Sequence, residues 1–383
     1  MPEGLIPFNV PYVAGADLAY AEEAMRSGHL HGDGPFTRRA TGALKELTGA
    51  PHALLTTSCT HALEMAALLL DLGPGDEVLV PSFTFVSTAS AVAMRGATPV
   101  FVDVRPDTLN VEVEAMAAAV TPRTRAAFVV HYGGIGCDLD ALDKLCADQG
   151  LTLVEDNAHG LGGSRDGRTL GTVGSLATQS FHDTKNIQCG EGGALLINDT
   201  ALAERAEILR EKGTNRSRFI RGQVDKYTWV DLGSSYLPSD VLAAFLLGQL
   251  ESFDAIQARR LAVWDTYHAE LAAWAAENGV ATPVVPDGAV QPAHLYFLLL
   301  PDHDEQQRFL AHLREQGVAG VFHYLPLHES PAGQQFGRTG PGGCPVTEDV
   351  AYRLVRLPLF AGMTGEQVSR VVEAVTAYRT GRG

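Results

Sequence analysis

Residues 179–193 read Gln179-Ser180-Phe181-His182-Asp183-Thr184-Lys185-Asn186-Ile187-Gln188-Cys189-Gly190-Glu191-Gly192-Gly193, a polar loop that ends in glycines. Apolar, strand-like segments precede it at 175–181 and follow it at 194–197. A lysine placed between two strands in this way suits the floor of a cleft. Once desolvated, its ammonium loses the proton more readily than a guanidinium does, and the free amine condenses with an aldehyde. Lys185 is therefore a Schiff-base candidate, but most lysines are solvated surface residues, so this loop alone is a weak signal that other stretches must support.

The whole chain has the composition of a soluble globular protein. It has 383 residues, 45% of them hydrophobic, which is enough for two or three domains and a sizeable core. Twenty-nine basic and forty-five acidic residues give a formal charge of −16, which argues against nucleic acid or an anionic membrane surface as the main partner. The sequence shows no signal pattern and no apolar run long enough to span a membrane, so we expect a cytoplasmic protein.

The cysteines predict neither a disulfide framework nor a metal site. They are odd in number, widely spaced and without a C-x-x-C pair. The five are Cys59, Cys137, Cys146, Cys189 and Cys344.

From residue 51 onward, strand and helix patterns alternate. The short apolar runs, often β-branched, are typical of strands buried on both faces of a parallel sheet. The predicted strands are residues 53–55, 78–80, 100–102, 126–130 and 151–154, and the predicted helices are 17–26, 60–72, 85–95, 111–120, 139–149 and 201–211. This alternation predicts an α/β fold with right-handed crossovers.

The remainder predicts a long loop and a second α/β unit. Residues 213–233 form a polar, aromatic loop, and loops of that length are usually functional. Beyond it we predict helices 239–257 and 262–278, joined through Arg259 and Arg260, then strand 295–300, helix 306–316, strand 321–325 and helix 364–379. We expect a large domain over residues 1–255 and a small C-terminal domain over 256–383.

Three stretches follow predicted strands, and ligands bind where parallel strands end. In Thr57-Ser58-Cys59-Thr60-His61, free N–H groups at a helix start suit an anion, although ordinary capping by Ser58 or Thr60 explains these residues too. In Glu155-Asp156-Asn157-Ala158-His159, Asp156 and His159 face the same edge or cap the next turn. The third stretch is Pro81-Ser82-Phe83-Thr84-Phe85-Val86-Ser87-Thr88. An aromatic residue such as Phe85 usually belongs to the core there, unless the other two stretches lie close to it.

A second sequence pattern predicts an alternative function, the binding of a dinucleotide. Gly134-Ile135-Gly136-Cys137-Asp138-Leu139 follows a strand and opens a helix, and acidic residues lie some twenty positions on. Leu139 stands where the fingerprint needs glycine or alanine, which compromises the close packing over a pyrophosphate. An NAD-dependent oxidoreductase is therefore the second class of function, and a non-catalytic sugar-binding protein the third.

The order of the motifs resembles the DegT/StrS family of nucleotide-sugar aminotransferases. The phosphate loop, the aromatic, Glu-Asp-x-Ala-His, Ser-Phe-His-x-x-Lys and the trailing Glu-Gly-Gly occur in the family's order, and the resemblance runs almost end to end. Residues 211–217, 221–229 and 233–237 resemble its TDP-4-keto-6-deoxyglucose aminotransferase (WecE-like) branch. The resemblance implies the aspartate-aminotransferase fold (fold type I): an α/β large domain with a mixed, mostly parallel sheet, plus a smaller α/β domain. It also implies pyridoxal 5′-phosphate (PLP) as cofactor.

The resemblance also implies a role for each matching residue. Lys185 would hold the cofactor as a Schiff base and move the proton, and Asp156 would keep the pyridine nitrogen protonated so that the ring acts as an electron sink. His159 would contact the ring hydroxyl, Phe85 would stack on the ring, and the phosphate would be held by Cys59, Thr60 and Ser180. Related sugar dehydratases carry histidine in place of the lysine, so Lys185 favours transamination.

Two positions depart from the family pattern. The family often has glycine at Cys59, and asparagine at Ser235 in a segment that reaches the phosphate of the partner subunit. The resemblance thus implies a homodimer with shared active sites.

For the substrate we predict a TDP-4-keto-6-deoxyhexose aminated at C4 with glutamate as donor. A 3-keto hexose or a keto pentose is the alternative. The diphosphate needs cationic donors, and the loop with Lys212, Arg216, Arg218, Arg221 and Lys226 is the most basic stretch, although a solvated surface loop explains that charge run too. The predicted substrate contacts are Lys212, Asn215, Arg216, Tyr227, His323, Tyr324 and His328, together with the loop 28–35.

Overall fold

The computed structural model describes residues 4–381. Its strands, in chain order, are β1 (His52–Thr56), β2 (Glu77–Pro81), β3 (Thr98–Val102), β4 (Thr124–Val130), β5 (Thr152–Asp156), β6 (Ser164–Arg165), β7 (Arg168–Thr169), β8 (Leu176–Ser180), β9 (Gly193–Ile197), β10 (Ala289–Val290), β11 (Tyr296–Leu299), β12 (Arg338–Thr339) and β13 (Leu354–Leu357). Its α-helices are α1 (Asp17–Arg26), α2 (Pro35–Thr48), α3 (Cys59–Leu69), α4 (Val86–Ala93), α5 (Val113–Ala119), α6 (Leu139–Gln149), α7 (Ala203–Arg210), α8 (Arg216–Ile220), α9 (Asp240–Glu251), α10 (Phe253–Glu277), α11 (His303–Glu315), α12 (Pro331–Phe336), α13 (Pro345–Ala351) and α14 (Gly365–Thr376).

Eight of these strands form one central sheet in the order β1-β9-β8-β5-β4-β2-β3-β12. β9 runs antiparallel to both of its neighbours, and every other adjacent pair is parallel. Strands β2 and β9 are buried along their whole length, which explains their continuous apolar sequences. The prediction of a mixed, mostly parallel sheet is confirmed.

The helices that cover the sheet begin and end at residues suited to those positions. Ser58 precedes α3 and its Oγ accepts a hydrogen bond from the N–H of His61 (3.1 Å). Asp138 caps α6 in the same way, and Gly150 ends that helix in the left-handed conformation (φ 65°). Because α3 is apolar nearly all round, it lies buried against β8, β9 and α4.

A second core surrounds the antiparallel pair β11 and β13, which α10, α11 and α14 cover. Ile6, although N-terminal, packs into this core, and its N–H donates to the carbonyl of Gly317 (2.8 Å). The start of the chain is thus fastened to the C-terminal unit. The division into domains at residue 255 stays a prediction.

Several elements differ from the prediction, including helix α8, which lies inside the predicted loop 213–233, and strand β13. Helix α2 was not predicted, because the Gly/Pro-rich loop before it masks the start at Pro35, although proline favours the first helical turn and Gly49 ends the helix. Helix α10 is continuous through Arg259 and Arg260, so the break predicted there is wrong. Residues 321–325 do not form a strand. Of these residues only Val321 takes part in a β-bridge, and its partner is Arg356.

Candidate active site

A cavity of about 610 Å³ lies at the edge of the sheet where β1, β8, β5 and β4 end. The C-terminal unit closes its other side with residues 321–324 and Arg356. Parallel strands place their last residues at one such edge, which is why distant sequence motifs meet there. The predicted site residues that line the cavity are Cys59, Thr60, Phe85, Asp156, His159, Ser180, Lys185, His323 and Tyr324.

Lys185 lies in the hairpin that joins β8 to β9. Backbone hydrogen bonds close this loop: the N–H of Phe181 donates to the carbonyl of Gly192 (2.8 Å), and that of Lys185 to the carbonyl of His182 (2.9 Å). Within residues 4–381, the Lys185 amine has neither a hydrogen-bond acceptor nor an ion-pair partner. Burial lowers the pKa of this amine to about 8, and Arg356 acts in the same direction while Asp156 opposes it. A desolvated, unpartnered amine is suited to react with an aldehyde.

Gly193, the last glycine after the lysine, is required by close packing. A Cβ at Gly193 would lie 2.3 Å from the carbonyl carbon of Ser58 and 2.4 Å from the nitrogen of Cys59. Because Gly193 has no side chain, the start of α3 lies directly against the lysine hairpin.

Asp156 is the last residue of β5 and is only 5% exposed. Its Oδ2 accepts a hydrogen bond from the Thr88 hydroxyl (2.7 Å), and its Oδ1 accepts one from the N–H of Ala158 (3.2 Å). Burial raises the pKa of this carboxyl group, while Thr88, Ala158 and the Lys185 charge partly offset that rise. A fixed, buried carboxylate on a cavity wall needs a cationic partner, and a protonated pyridine is one.

The start of α3 is built to receive an anion. The N–H groups of Cys59 and Thr60 have no acceptor in the described part of the chain, as expected for a first helical turn. The Thr60 hydroxyl lies 2.7 Å from that of Ser87. Ser180 ends β8 beside them. The Cys59 thiol instead points away from this turn toward Thr178 (3.4 Å to Oγ1), and burial raises its pKa.

Two rings flank the space between the lysine and the acid. Phe85, at the start of α4, is 55% exposed and lines the cavity, so its ring is accessible to a ligand there. His159 is buried, and its ring stacks on that of His294 with centroids 4.1 Å apart. Burial and the Lys185 charge hold the pKa of His159 well below its usual range, so the ring is neutral. Its Nδ1 accepts from the N–H of Gly133 (3.3 Å), so the proton lies on Nε2.

His323 and Tyr324 form the opposite wall. Their rings stack with centroids 3.7 Å apart, and the Tyr324 hydroxyl lies 3.3 Å from Nε2 of His159. Nδ1 of His323 lies 2.6 Å from the Tyr132 hydroxyl. The predicted approach of residues 323 and 324 to the site is thus observed.

The other predicted contacts lie outside the cavity of the single chain. His328 turns away, with Nδ1 2.7 Å from the Ser82 hydroxyl and Nε2 3.0 Å from Glu348. The predicted contacts between residues 212 and 235 lie near the surface of the chain. Lys212, Tyr227 and Ser235 are exposed, and Asn215 and Arg216 are half-buried. Tyr236, at the end of this segment, is only 6% exposed and packs on His61, whereas Trp229 is 74% exposed.

Sequence reasoning missed several residues of the site, among them Thr88, His294 and Arg356. Thr88 holds Asp156, His294 stacks on His159, and Arg356 lines the cavity. Thr88 and His294 carry no sequence signal. Arg356 does carry one, since it is a charged residue inside the apolar strand β13.

The dinucleotide pattern has a structural explanation. A Cβ at Gly134 would lie 2.4 Å from the ring of Pro292, and one at Gly136 would lie 2.8 Å from Leu170. These glycines are therefore packed against the protein's own side chains. They do not form an open phosphate loop.

This fold and this site define a PLP-dependent aminotransferase of the aspartate-aminotransferase fold. The residues fit PLP, since the cavity offers an unpartnered amine for the aldehyde, a buried carboxylate for the ring nitrogen and free N–H groups for the phosphate. The model of the DegT/DnrJ/EryC1/StrS aminotransferase family matches residues 11–376, and the chain belongs to that family. The protein is an enzyme, a PLP-dependent sugar transaminase.

Individual relatives agree with this assignment. The chain is 32% identical over 378 residues to the spore coat polysaccharide biosynthesis protein SpsC of Bacillus subtilis, covering 97% of this chain and 96% of SpsC. The structure of the aminotransferase TlmJ from Streptoalloteichus hindustanus matches with a TM-score of 0.90, 33% identity and 98% coverage of both chains. The PLP form of Spr1654 from Streptococcus pneumoniae matches with a TM-score of 0.89 and 26% identity, over 97% of this chain and 98% of that one. No helix among the described residues is long and apolar enough to cross a membrane.

Proposed function

We propose that this enzyme transfers the amino group of glutamate to C4 of TDP-4-keto-6-deoxyglucose. The observation that carries the proposal is the cavity, whose volume of about 610 Å³ is typical of sites for ligands of drug-like size. Beyond the lysine and the acid, its walls present neutral imidazoles and a tyrosine hydroxyl, and such groups form hydrogen bonds with sugar hydroxyls. The resemblance of residues 211–237 to the TDP-sugar branch supports the choice of substrate.

We assign the chemical roles to Lys185 and Asp156. When bound, PLP supplies an aldehyde and an electron-withdrawing ring. Lys185 alternates between holding the cofactor and carrying a proton on Nζ, which its lowered pKa permits near neutral pH. Asp156, whose carboxylate is held in place by Thr88 and Ala158, would keep a proton on the pyridine nitrogen.

The remaining cofactor contacts follow from the walls of the cavity. Phe85 would stack on the ring, and Nε2 of His159, which lies 3.3 Å from the Tyr324 hydroxyl here, would contact the ring hydroxyl. The first turn of α3, with Cys59 and Thr60, and the hydroxyl of Ser180 would hold the phosphate. Because the Cys59 thiol points to Thr178, we propose that Cys59 contacts the phosphate through its backbone N–H.

We also propose a homodimer in which the loop of one chain, from Lys212 to Tyr236, completes the site of the other. Exposed apolar side chains concentrate on this loop, and Trp229 is 74% exposed. Ser235 of the loop would reach the phosphate, and its basic residues would meet the diphosphate. Lys212 and Arg216 both lie within 3.6 Å of the carboxylate of Glu211, which is buried, so a diphosphate would compete with that carboxylate for the two cations.

We expect the protein to be a dimer at micromolar concentration, and we expect Trp229→Glu to produce inactive monomers. The substitution places a charge in the middle of the proposed apolar interface. Static light scattering and initial rates measured on the same samples check this, with Val284→Glu as control, since Val284 is also exposed but lies far from the loop in sequence. A fully active wild-type monomer would rule out the shared site.

All five cysteines are free, which supports the proposed cytoplasmic location, where thiols stay reduced.

The substrate proposal is tested by incubating the holoenzyme with glutamate and TDP-4-keto-6-deoxyglucose. We expect a TDP-4-amino-4,6-dideoxyhexose, identified by mass and by the proton coupling at C4. Parallel incubations with a 3-keto hexose and a keto pentose nucleotide serve as comparison. Amination of only one of those would keep the family and overturn this substrate.

A further inference from the structure

We propose that His294 and Asn186 are positioning residues, which hold the ring of His159 in the orientation that meets the cofactor. His294 lines the cavity, and the roles given above leave it without a task. The positioning role rests on the proposed function, in which His159 contacts the ring hydroxyl of PLP.

The rings of His294 and His159 form a close stack in the wall of the cavity. Their centroids lie 4.1 Å apart, their planes meet at 22°, and both residues are buried. Burial holds the pKa of each ring well below the usual range of histidine, and the charge of Lys185 acts in the same direction. Because both rings are neutral they stack without repulsion, so His294 covers one face of His159 and limits its tilt.

The ring of His294 is itself fixed by Asn186. Nδ1 of His294 lies 2.9 Å from Oδ1 of Asn186, and Nδ2 of Asn186 donates to the carbonyl of Pro292 (2.6 Å). Because a carbonyl oxygen only accepts, the amide nitrogen of Asn186 faces Pro292 and the amide oxygen faces the ring. The proton of His294 therefore lies on Nδ1, and its hydrogen bond sets both the tautomer and the orientation of the ring.

The backbone that carries His294 is held at three consecutive carbonyl groups. Gln257 of α10 donates to the carbonyl of Pro292. The guanidinium of Arg260, on the same helix, donates to the carbonyls of Ala293 (3.0 Å) and His294 (2.7 Å). Arg260 is buried, which lowers its pKa to about 9, and Ala293 has a φ of 49° that residues other than glycine seldom adopt. A buried charge and a rare backbone conformation persist only where the surroundings enforce them, so this segment is held in one position.

Asn186 directly follows Lys185, so the hairpin that carries the reactive amine also orients the stacked histidines. On its own edge, His159 accepts at Nδ1 from the N–H of Gly133 (3.3 Å). With one face covered by His294 and one nitrogen bonded, the direction of its Nε2–H bond is set before a cofactor binds. Such preorganisation matters, since a displacement of about 1 Å can lower a rate about 100-fold.

A pH titration of the holoenzyme reports this contact without turnover. A hydrogen bond from His159 draws electron density from the ring oxygen, which also accepts the proton on the lysine-bound nitrogen, so the bond lowers the pKa of that nitrogen. In His294→Ala we expect the pH midpoint of the visible band of the lysine-bound cofactor to rise by about one unit, a tenfold change in the proton equilibrium. Asn186→Ala should shift the midpoint in the same direction.

A double variant separates positioning from ordinary packing. His159→Ala removes the contact itself and should raise the midpoint at least as far as His294→Ala does. Adding His294→Ala to His159→Ala should raise it no further, because His294 acts through His159. His294→Phe keeps a ring against His159 without the bond to Asn186, and its midpoint should lie between those of the wild type and His294→Ala. The phenylalanine variant also provides a result if the alanine variant does not fold.

Steady-state kinetics supply a second readout. We expect kcat of His294→Ala to fall at least about tenfold, while KM for glutamate stays within about threefold because His294 is not assigned to donor binding. His268→Ala is the matched control, since His268 is an exposed histidine that stacks on Trp264 (4.7 Å) and does not line the cavity. It should change neither the midpoint nor kcat.

Two results would overturn the positioning role: an unchanged midpoint in His294→Ala, or a rise in the double variant well beyond that in His159→Ala. Failure of the proposed function looks different. The wild-type holoenzyme would then show no visible band that glutamate abolishes, or His159→Ala would itself leave the midpoint unchanged.

Discussion

Lys185→Ala is expected to lower kcat by more than about 10⁴-fold, or about 5.5 kcal/mol in activation free energy, while the fold stays intact. The catalytic loss follows because no other lysine lines the cavity among the described residues. The fold should survive because the Lys185 amine has no partner and backbone hydrogen bonds close its hairpin. Initial rates together with thermal unfolding followed by circular dichroism measure both effects.

Lys144→Ala is the matched control, because Lys144 is an exposed lysine whose ion pair with Asp148 lies on the surface of α6. Its rate and melting temperature should match those of the wild type. Near-normal transamination by Lys185→Ala would refute the assignment of the catalytic lysine.

Asp156→Asn is expected to lower kcat by several orders of magnitude. The amide has nearly the same shape and can still accept the hydrogen bond from Thr88, so the cofactor should remain bound. An uncharged group no longer favours a protonated pyridine, and the ring then loses most of its capacity to withdraw electrons. Steady-state rates and the cofactor content of the purified variant are the measurements.

Asp140→Asn is the corresponding control, since Asp140 forms an exposed ion pair with Arg168. If kcat of Asp156→Asn falls by less than about tenfold, or about 1.4 kcal/mol, Asp156 does not stabilise the positive charge on the pyridine ring.

The sheet and one side of the site could be predicted from the sequence, because both depend on local patterns. Continuous apolar runs identify buried strands, and polar residues directly after them must gather at one edge. Asp156, Ser180 and the start of α3 meet there for that reason.

The other side of the site depends on tertiary contacts that no local pattern encodes. Arg356 reaches the cavity because β13 pairs with β11 and Val321 pairs with Arg356. His328 is close in sequence to His323 and Tyr324, yet the 3₁₀ turn Leu327–Glu329 directs it to Ser82. The role that we propose for the loop from Lys212 to Tyr236 involves a second chain, and no pattern within one chain specifies how two copies pair.

The most direct test of the central claim is the absorption spectrum of the purified holoenzyme during two successive additions. Glutamate alone should abolish the visible band of the lysine-bound cofactor, and TDP-4-keto-6-deoxyglucose added after removal of glutamate should restore it with release of one amino sugar per site. A visible band that glutamate leaves unchanged, or a spectrum without such a band after incubation with PLP, would contradict the assignment of this chain as a sugar aminotransferase.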